Sequence, residues 1–95
     1  MAFRFTRQAS EDIYLIYESG KRSFGERSAE LYYLLFLDAV EFAARHPLAA
    51  AIRQDINDTV RVRYFGSHAI FYQVDDPDIL VLRVLHQSQD WQNVL

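Results

Sequence analysis

The stretch VRVRYFGSHAIFYQVDDPDILVLRVLH, residues 60–86, decides the fold. Residues 60–65 alternate apolar and polar, the period of a half-buried strand. Residues 68–74 are mostly apolar and aromatic, and Gly66-Ser67 between the two segments is a two-residue hairpin signal. After the Asp-Pro turn, residues 79–86 are almost continuously apolar, as in a central strand. Three consecutive strands therefore close the chain, followed by a short tail, QSQDWQNVL, with room for about one helical turn.

Working back towards the N-terminus, Pro47 ends a long helical pattern near Arg45–His46. Ser23 and Glu26 have the spacing of a capping box that would open this helix. Its stripe is Ala29, Tyr32, Tyr33, Phe36, Val40 and Ala43, but residues 31–37, LYYLLFL, are apolar all round. A helix of that kind is covered on more than one side, by an earlier helix and by a partner or second copy. Before it, Ser10 reads as the N-cap of a first helix with Ile13, Ile16 and Tyr17 on one face and Gly20 at its end. FRFT, residues 3–6, reads as a short strand, and residues 47–58 as a connector without periodicity. The order is β-α-α-β-β-β: one α+β domain over residues 1–95, with a helical hairpin on one face of a small, mainly antiparallel sheet. The other sheet face is then polar or covered by something else.

Composition removes several function classes. With 51% hydrophobic and 15% aromatic residues, the chain can build a core and is not disordered. It has no Cys, which excludes disulfides and thiolate chemistry and fits a reducing compartment. No secretory leader pattern opens the sequence and no apolar run approaches the ~18 residues of a membrane span, so a cytoplasmic location is expected. The net charge of −3 argues against bulk nucleic-acid binding. Three His at 46, 68 and 86 match no standard metal spacing, and three Gly cannot form a phosphate-cradling loop, so no metal or cofactor is expected.

The remaining polar residues have two readings each. Arg61 and Arg63 point the same way from one strand, as a solvated face or as an anion-binding patch. Arg83 sits inside an apolar strand, where it either joins that patch or pairs with a carboxylate such as Asp58 or Asp90. In a regular strand it shares a face with Ile79, Val81 and Leu85, opposite Leu80, Leu82, Val84 and His86. His68 and His86 are structural hydrogen-bonding residues or acid–base groups. His46 is a helix C-terminal residue. Trp91 and Leu95 are hydrophobic clamps for the tail or a contact patch.

Over nearly its full length the chain resembles the ParE branch of the ParE/RelE toxins of bacterial toxin–antitoxin operons. The resemblance is carried by ASEDIYLIY after the first strand, FGERSAELY at the second helix, the closing HP, HAIFY in the middle strand and ILVLRVLHQSQDW at the end. It implies the β-α-α-β-β-β fold and a ParD-like antitoxin that wraps the toxin. It also implies a non-enzymatic toxin that inhibits DNA gyrase and replication by protein contact, with a role in plasmid or chromosome stabilisation. Arg61, Arg63, Arg83, His86 and Trp91 are then expected to shape a target- or partner-binding surface. RelE-type relatives instead cleave mRNA on the ribosome. On that alternative Arg61, Arg63 and Arg83 hold phosphates and His86 is the acid or base, but the sequence has no Glu after Glu41 and no Tyr after Tyr72 to assist. A relative that has lost toxicity and only binds antitoxin is the third reading. One departure from the family pattern is Gln89, where members often carry Met.

Overall fold

The computed structural model describes residues 2–94. The elements run β1 (Phe3–Phe5), α1 (Arg7–Phe24), α2 (Glu26–Arg45), β2 (Ala51–Ile52), β3 (Arg61–Phe65), β4 (His68–Asp75), β5 (Asp78–His86) and α3 (Trp91–Val94). The sheet order is β1-β5-β4-β3-β2, with β1 parallel to β5 and every other pair antiparallel. The α+β class and the helical hairpin on the sheet are as the sequence implies. The two-residue β2 lies in the segment that reads as a connector.

Both helix starts differ from the sequence reading. Thr6, not Ser10, caps α1: its hydroxyl accepts the Ala9 N–H at 3.0 Å, and the helix runs through Gly20 to Phe24. Gly20 instead lets the helices approach, because a Cβ there would rest 3.7 Å from that of Ala29. The Ser23–Glu26 box does not form. Ser23 is still in α1, and the hairpin turns on Gly25 alone, at φ 92° and ψ 163°, a conformation almost restricted to glycine.

Two apolar clusters lie on opposite faces of the sheet. Under the helices, Phe36, Val40, Ala43 and Ala44 pack on Phe65, Ile70, Tyr72, Ile79, Val81 and Val84. On the other face, Val60, Val62, Ala69, Phe71 and Leu85 are covered by Ile56 of the connector and by Trp91. That face is thus apolar and closed by the chain's own connector and tail. A bulge makes this division. Tyr72 pairs with Val81 but Phe71 with Arg83, so Leu82 is an extra residue in β5. The simple alternation expected for residues 79–86 breaks there: Ile79, Val81 and Val84 share the helix-side core, whereas Leu82 and Leu85 join the second cluster. No helix among the described residues is long and apolar enough to cross a membrane.

Candidate functional site: an apolar groove with a histidine floor

Arg61 and Arg63 lie on the helix side of β3, under the C-terminal end of α2, and both are spent within the fold. Arg61 donates to the Ala50 carbonyl at 2.7 Å and to that of Leu48 at 3.4 Å, pinning the connector. Tyr72 adds a second pin, donating to the Pro47 carbonyl at 2.9 Å, and burial pushes its phenol up. The Arg63 guanidinium lies 4.1 Å from the Phe42 ring centroid, a cation–π contact, with its Nε buried and without a hydrogen-bond partner.

Arg83 lies two strands away from β3 and joins neither residue. β1 covers β5 only at residues 79–81, and beyond it the start of α1 takes over the exposed strand edge. Thr6 donates its hydroxyl to the Leu82 carbonyl at 2.7 Å. Asp12 accepts the Val84 N–H at 3.0 Å and both prongs of the Arg83 guanidinium at 2.8 and 2.9 Å. The partner is therefore Asp12, from the first helix, rather than Asp58 or Asp90. This bidentate bond holds the Arg83 pKa above its ordinary value.

His86 anchors the tail. Its Nδ1 receives the Ser88 N–H at 3.0 Å, and its carbonyl receives the Trp91 indole N–H at 3.1 Å. Gln89 returns its side-chain oxygen to the His86 N–H at 2.9 Å, which gives that position a polar role. Trp91 packs edge-on to Phe71 at 4.9 Å and beneath the Arg53 guanidinium at 4.8 Å. Arg53 in turn binds Asp55, which also accepts from Gln92, and these bonds hold the Asp55 carboxyl far below the usual range. Leu95, the other expected clamp, lies outside the described residues. His46 caps α2 and packs its ring on Phe42 at 4.8 Å.

His68 and His86 are paired across β4 and β5, with ring centroids 5.2 Å apart. They floor a groove of about 590 Å³ between the helical hairpin and the sheet end that carries the β3–β4 turn. Its walls are Ile13, Ile16, Tyr17, Phe36 and Phe65, and Leu15 and Phe24, 61% and 77% exposed, stand at its rim. Tyr32, which the sequence places only in a helical stripe, is the link: its hydroxyl lies 2.6 Å from His68 Nδ1 and accepts the Ser67 N–H at 3.1 Å. Burial lowers the His68 pKa, and the neighbouring His86 lowers it further. Ile13, Tyr17 and Tyr33 of the groove also line a neighbouring recess with Tyr14 and Leu34, and Leu31 and Leu35 are exposed elsewhere on α2.

Residues 3–91 match the family model described as the ParE toxin of the type II toxin–antitoxin system parDE. The chain belongs to the ParE toxin family. It is similar to Toxin ParE1 of Caulobacter vibrioides, 28% identical over 88 residues that cover 93% of this chain and 91% of the relative. Its fold is shared with a solved structure titled the chromosomal ParDE TA system from P. aeruginosa, at a TM-score of 0.78 and 20% identity, covering 90% of this chain and 95% of that one. As a ParE-family chain it brings two features to its surface: the histidine-floored groove and the tail clamped by Trp91.

Proposed function

We propose that this chain acts in the cytoplasm as a toxin that binds DNA gyrase and blocks replication, and that a ParD-like antitoxin holds it inactive. The observation that carries the partner half is the run of exposed Tyr14, Leu15, Phe24, Leu31, Leu34 and Leu35 on the helical hairpin. A concentration of exposed large apolar side chains on two adjoining helices points to a protein interface. Family membership supports the same partner. The contact mode of action is supported by what the arginines do: Arg61 binds backbone carbonyls, Arg63 packs on Phe42 and Arg83 is held by Asp12. None of the three lies ready beside His86 to grip a phosphate, as RNA cleavage requires.

The test is pulse-labelling after induction of the chain alone in a bacterial host. DNA synthesis is expected to stop first, with filamentation. If protein synthesis stops first, the target is the ribosome. His86→Ala is expected to leave most of the toxicity, and removal of residues 90–95 to abolish it; full toxicity of a folded truncated chain removes the tail from the mechanism.

A further inference from the structure

Hydrogen bonding fixes the tautomer of His86 and couples that of His68 to the Tyr32 hydroxyl. A backbone N–H can only donate, so His86 Nδ1, which receives the Ser88 N–H, is unprotonated and the neutral ring carries its hydrogen on Nε2. The Tyr32 hydroxyl accepts the Ser67 N–H and lies 2.6 Å from His68 Nδ1; it can donate to that nitrogen or accept from it, and when it donates His68 too carries its hydrogen on Nε2. Neither Nε2 has a hydrogen-bond partner among the described residues. The groove lining contains no Asp, Glu, Lys or Arg. A metal ion is poorly served here, because the two rings have no third ligating side chain beside them among the described residues. The Nε2–H of exposed His86 and, with Tyr32 donating, that of half-buried His68 line an otherwise uncharged groove, and of the acceptors that can enter it a carboxylate makes the stronger, charge-assisted bonds.

The geometry points to His68 and His86 as a carboxylate-recognition pair that receives an Asp or Glu side chain of the antitoxin segment docked in this groove. The occupant rests on the antitoxin reading above; the carboxylate chemistry rests on the two rings. The unpaired donors select an acid, and the apolar walls with Leu15 and Phe24 at the rim select apolar neighbours on either side of it. A bound carboxylate favours the charged imidazole of His68, against the burial that lowers its pKa in the free chain. The Tyr32 hydroxyl can accept from a protonated His68 Nδ1 while keeping the Ser67 N–H. Of the titratable groups around His68, Tyr32 faces it from α2 and His86 from β5; Tyr17 and Tyr33 stand elsewhere on the walls. Proton uptake by His68 on binding makes the affinity rise as the pH falls, by up to about tenfold per pH unit for that one proton.

The chain alone is titrated with 4-phenylbutyrate and with 4-phenylbutyramide, followed by imidazole nitrogen NMR. Both rings are expected as Nε2–H at pH 7.5, with the acid bound about tenfold more tightly than the amide, the gain of one charge-assisted contact. His68→Leu should erase that preference, and His68→Gln, which keeps an N–H donor, should restore it. Equal binding of acid and amide, or Nδ1–H rings, overturns the proposal. In the complex with co-expressed antitoxin, His68→Leu should weaken binding by about tenfold and His68→Gln by much less; unchanged affinity in His68→Leu overturns the proposed occupant. An antitoxin that does not bind the unaltered chain brings down the functional reading, and with it the occupant, while the phenylbutyrate result still decides the carboxylate site.

Discussion

Asp12 of α1 binds Arg83 of β5 through both carboxylate oxygens, across 71 residues of sequence, and closes the strand edge by accepting the Val84 N–H as well. Three donors thus converge on one carboxylate whose side chain is 13% exposed, against 17% for Arg83. Asp12→Ala strands a largely buried cation and a strand-edge N–H together. It is expected to cost about 3 kcal/mol, near the range for breaking a buried pair. Arg83→Met should cost less, about 1–2 kcal/mol, because Asp12 keeps the Val84 bond. Urea denaturation of both variants and the double mutant checks this. Equal losses in the two single variants would show that the Val84 bond contributes nothing.

The pH dependence of stability follows from His68. Its pKa in the folded chain lies below the ordinary histidine value of 6.5, chiefly because the ring is partly buried and secondly because of His86. The unfolded chain therefore binds more protons in the window below about 6.5, and stability falls as pH drops through it towards the folded pKa. The urea midpoint should decline between about pH 7 and pH 5 in the unaltered chain, and less steeply in His68→Gln. A parallel decline in both would place the proton elsewhere.

Gly66 sets the position of Tyr32. It has φ 49°, and a Cβ at this position would fall 2.6 Å from the Tyr32 hydroxyl and ring edge. Gly66→Ala is expected to cost about 2 kcal/mol, from left-handed backbone strain plus the clash. It should also break the 2.6 Å bond to His68. The clash part should vanish in a Tyr32→Ala background, leaving only the backbone strain; an unchanged cost there would rule out the contact as its source.

The strands and the helical hairpin were legible because their periodicity is a property of neighbouring residues. What was hidden depended on distant ones. Ser10 and Ser23 have cap chemistry, but Thr6 starts α1 earlier because β1 delivers it to the open edge of β5, where its hydroxyl also reaches Leu82. The single-residue turn at Gly25 then leaves no room for the Ser23 box. Nothing in residues 79–86 marks Leu82 as the bulge, yet that one residue reassigns every side chain after it. Of the candidate site, His68 and His86 stood out by residue type. Tyr32 and Asp12 did not, since each looked like an ordinary helical position until the fold set it against a strand some 36 or 71 residues away. The short polar tail carrying Trp91 left a clamp and a contact patch as its two readings, and the packing of Trp91 on Phe71 and its bond to the His86 carbonyl supply what a clamp needs.

Trp91 tests whether the tail is part of the fold or a free appendage. It covers Phe71 at 4.9 Å and Tyr64 at 6.2 Å, on the sheet face away from the helices, and its indole N–H is bonded to the His86 carbonyl. Trp91→Ala uncovers the cluster of Val62, Phe71 and Leu85 and removes the ring beneath Arg53. A loss of about 2–3 kcal/mol is expected, somewhat below the usual range for a core aromatic because Trp91 is only partly buried. Trp91→Phe keeps most of the packing and loses the indole bond, so it should cost about 1 kcal/mol. Hydrogen exchange adds a local readout. If the tail is clamped as described, Trp91→Ala speeds exchange at the Gln89 and Asn93 amides, which are bonded to the His86 and Asp90 carbonyls, while the β4–β5 ladder stays protected. Uniform acceleration across the sheet would instead make Trp91 a core residue of the whole domain, and the tail could not move without unfolding it.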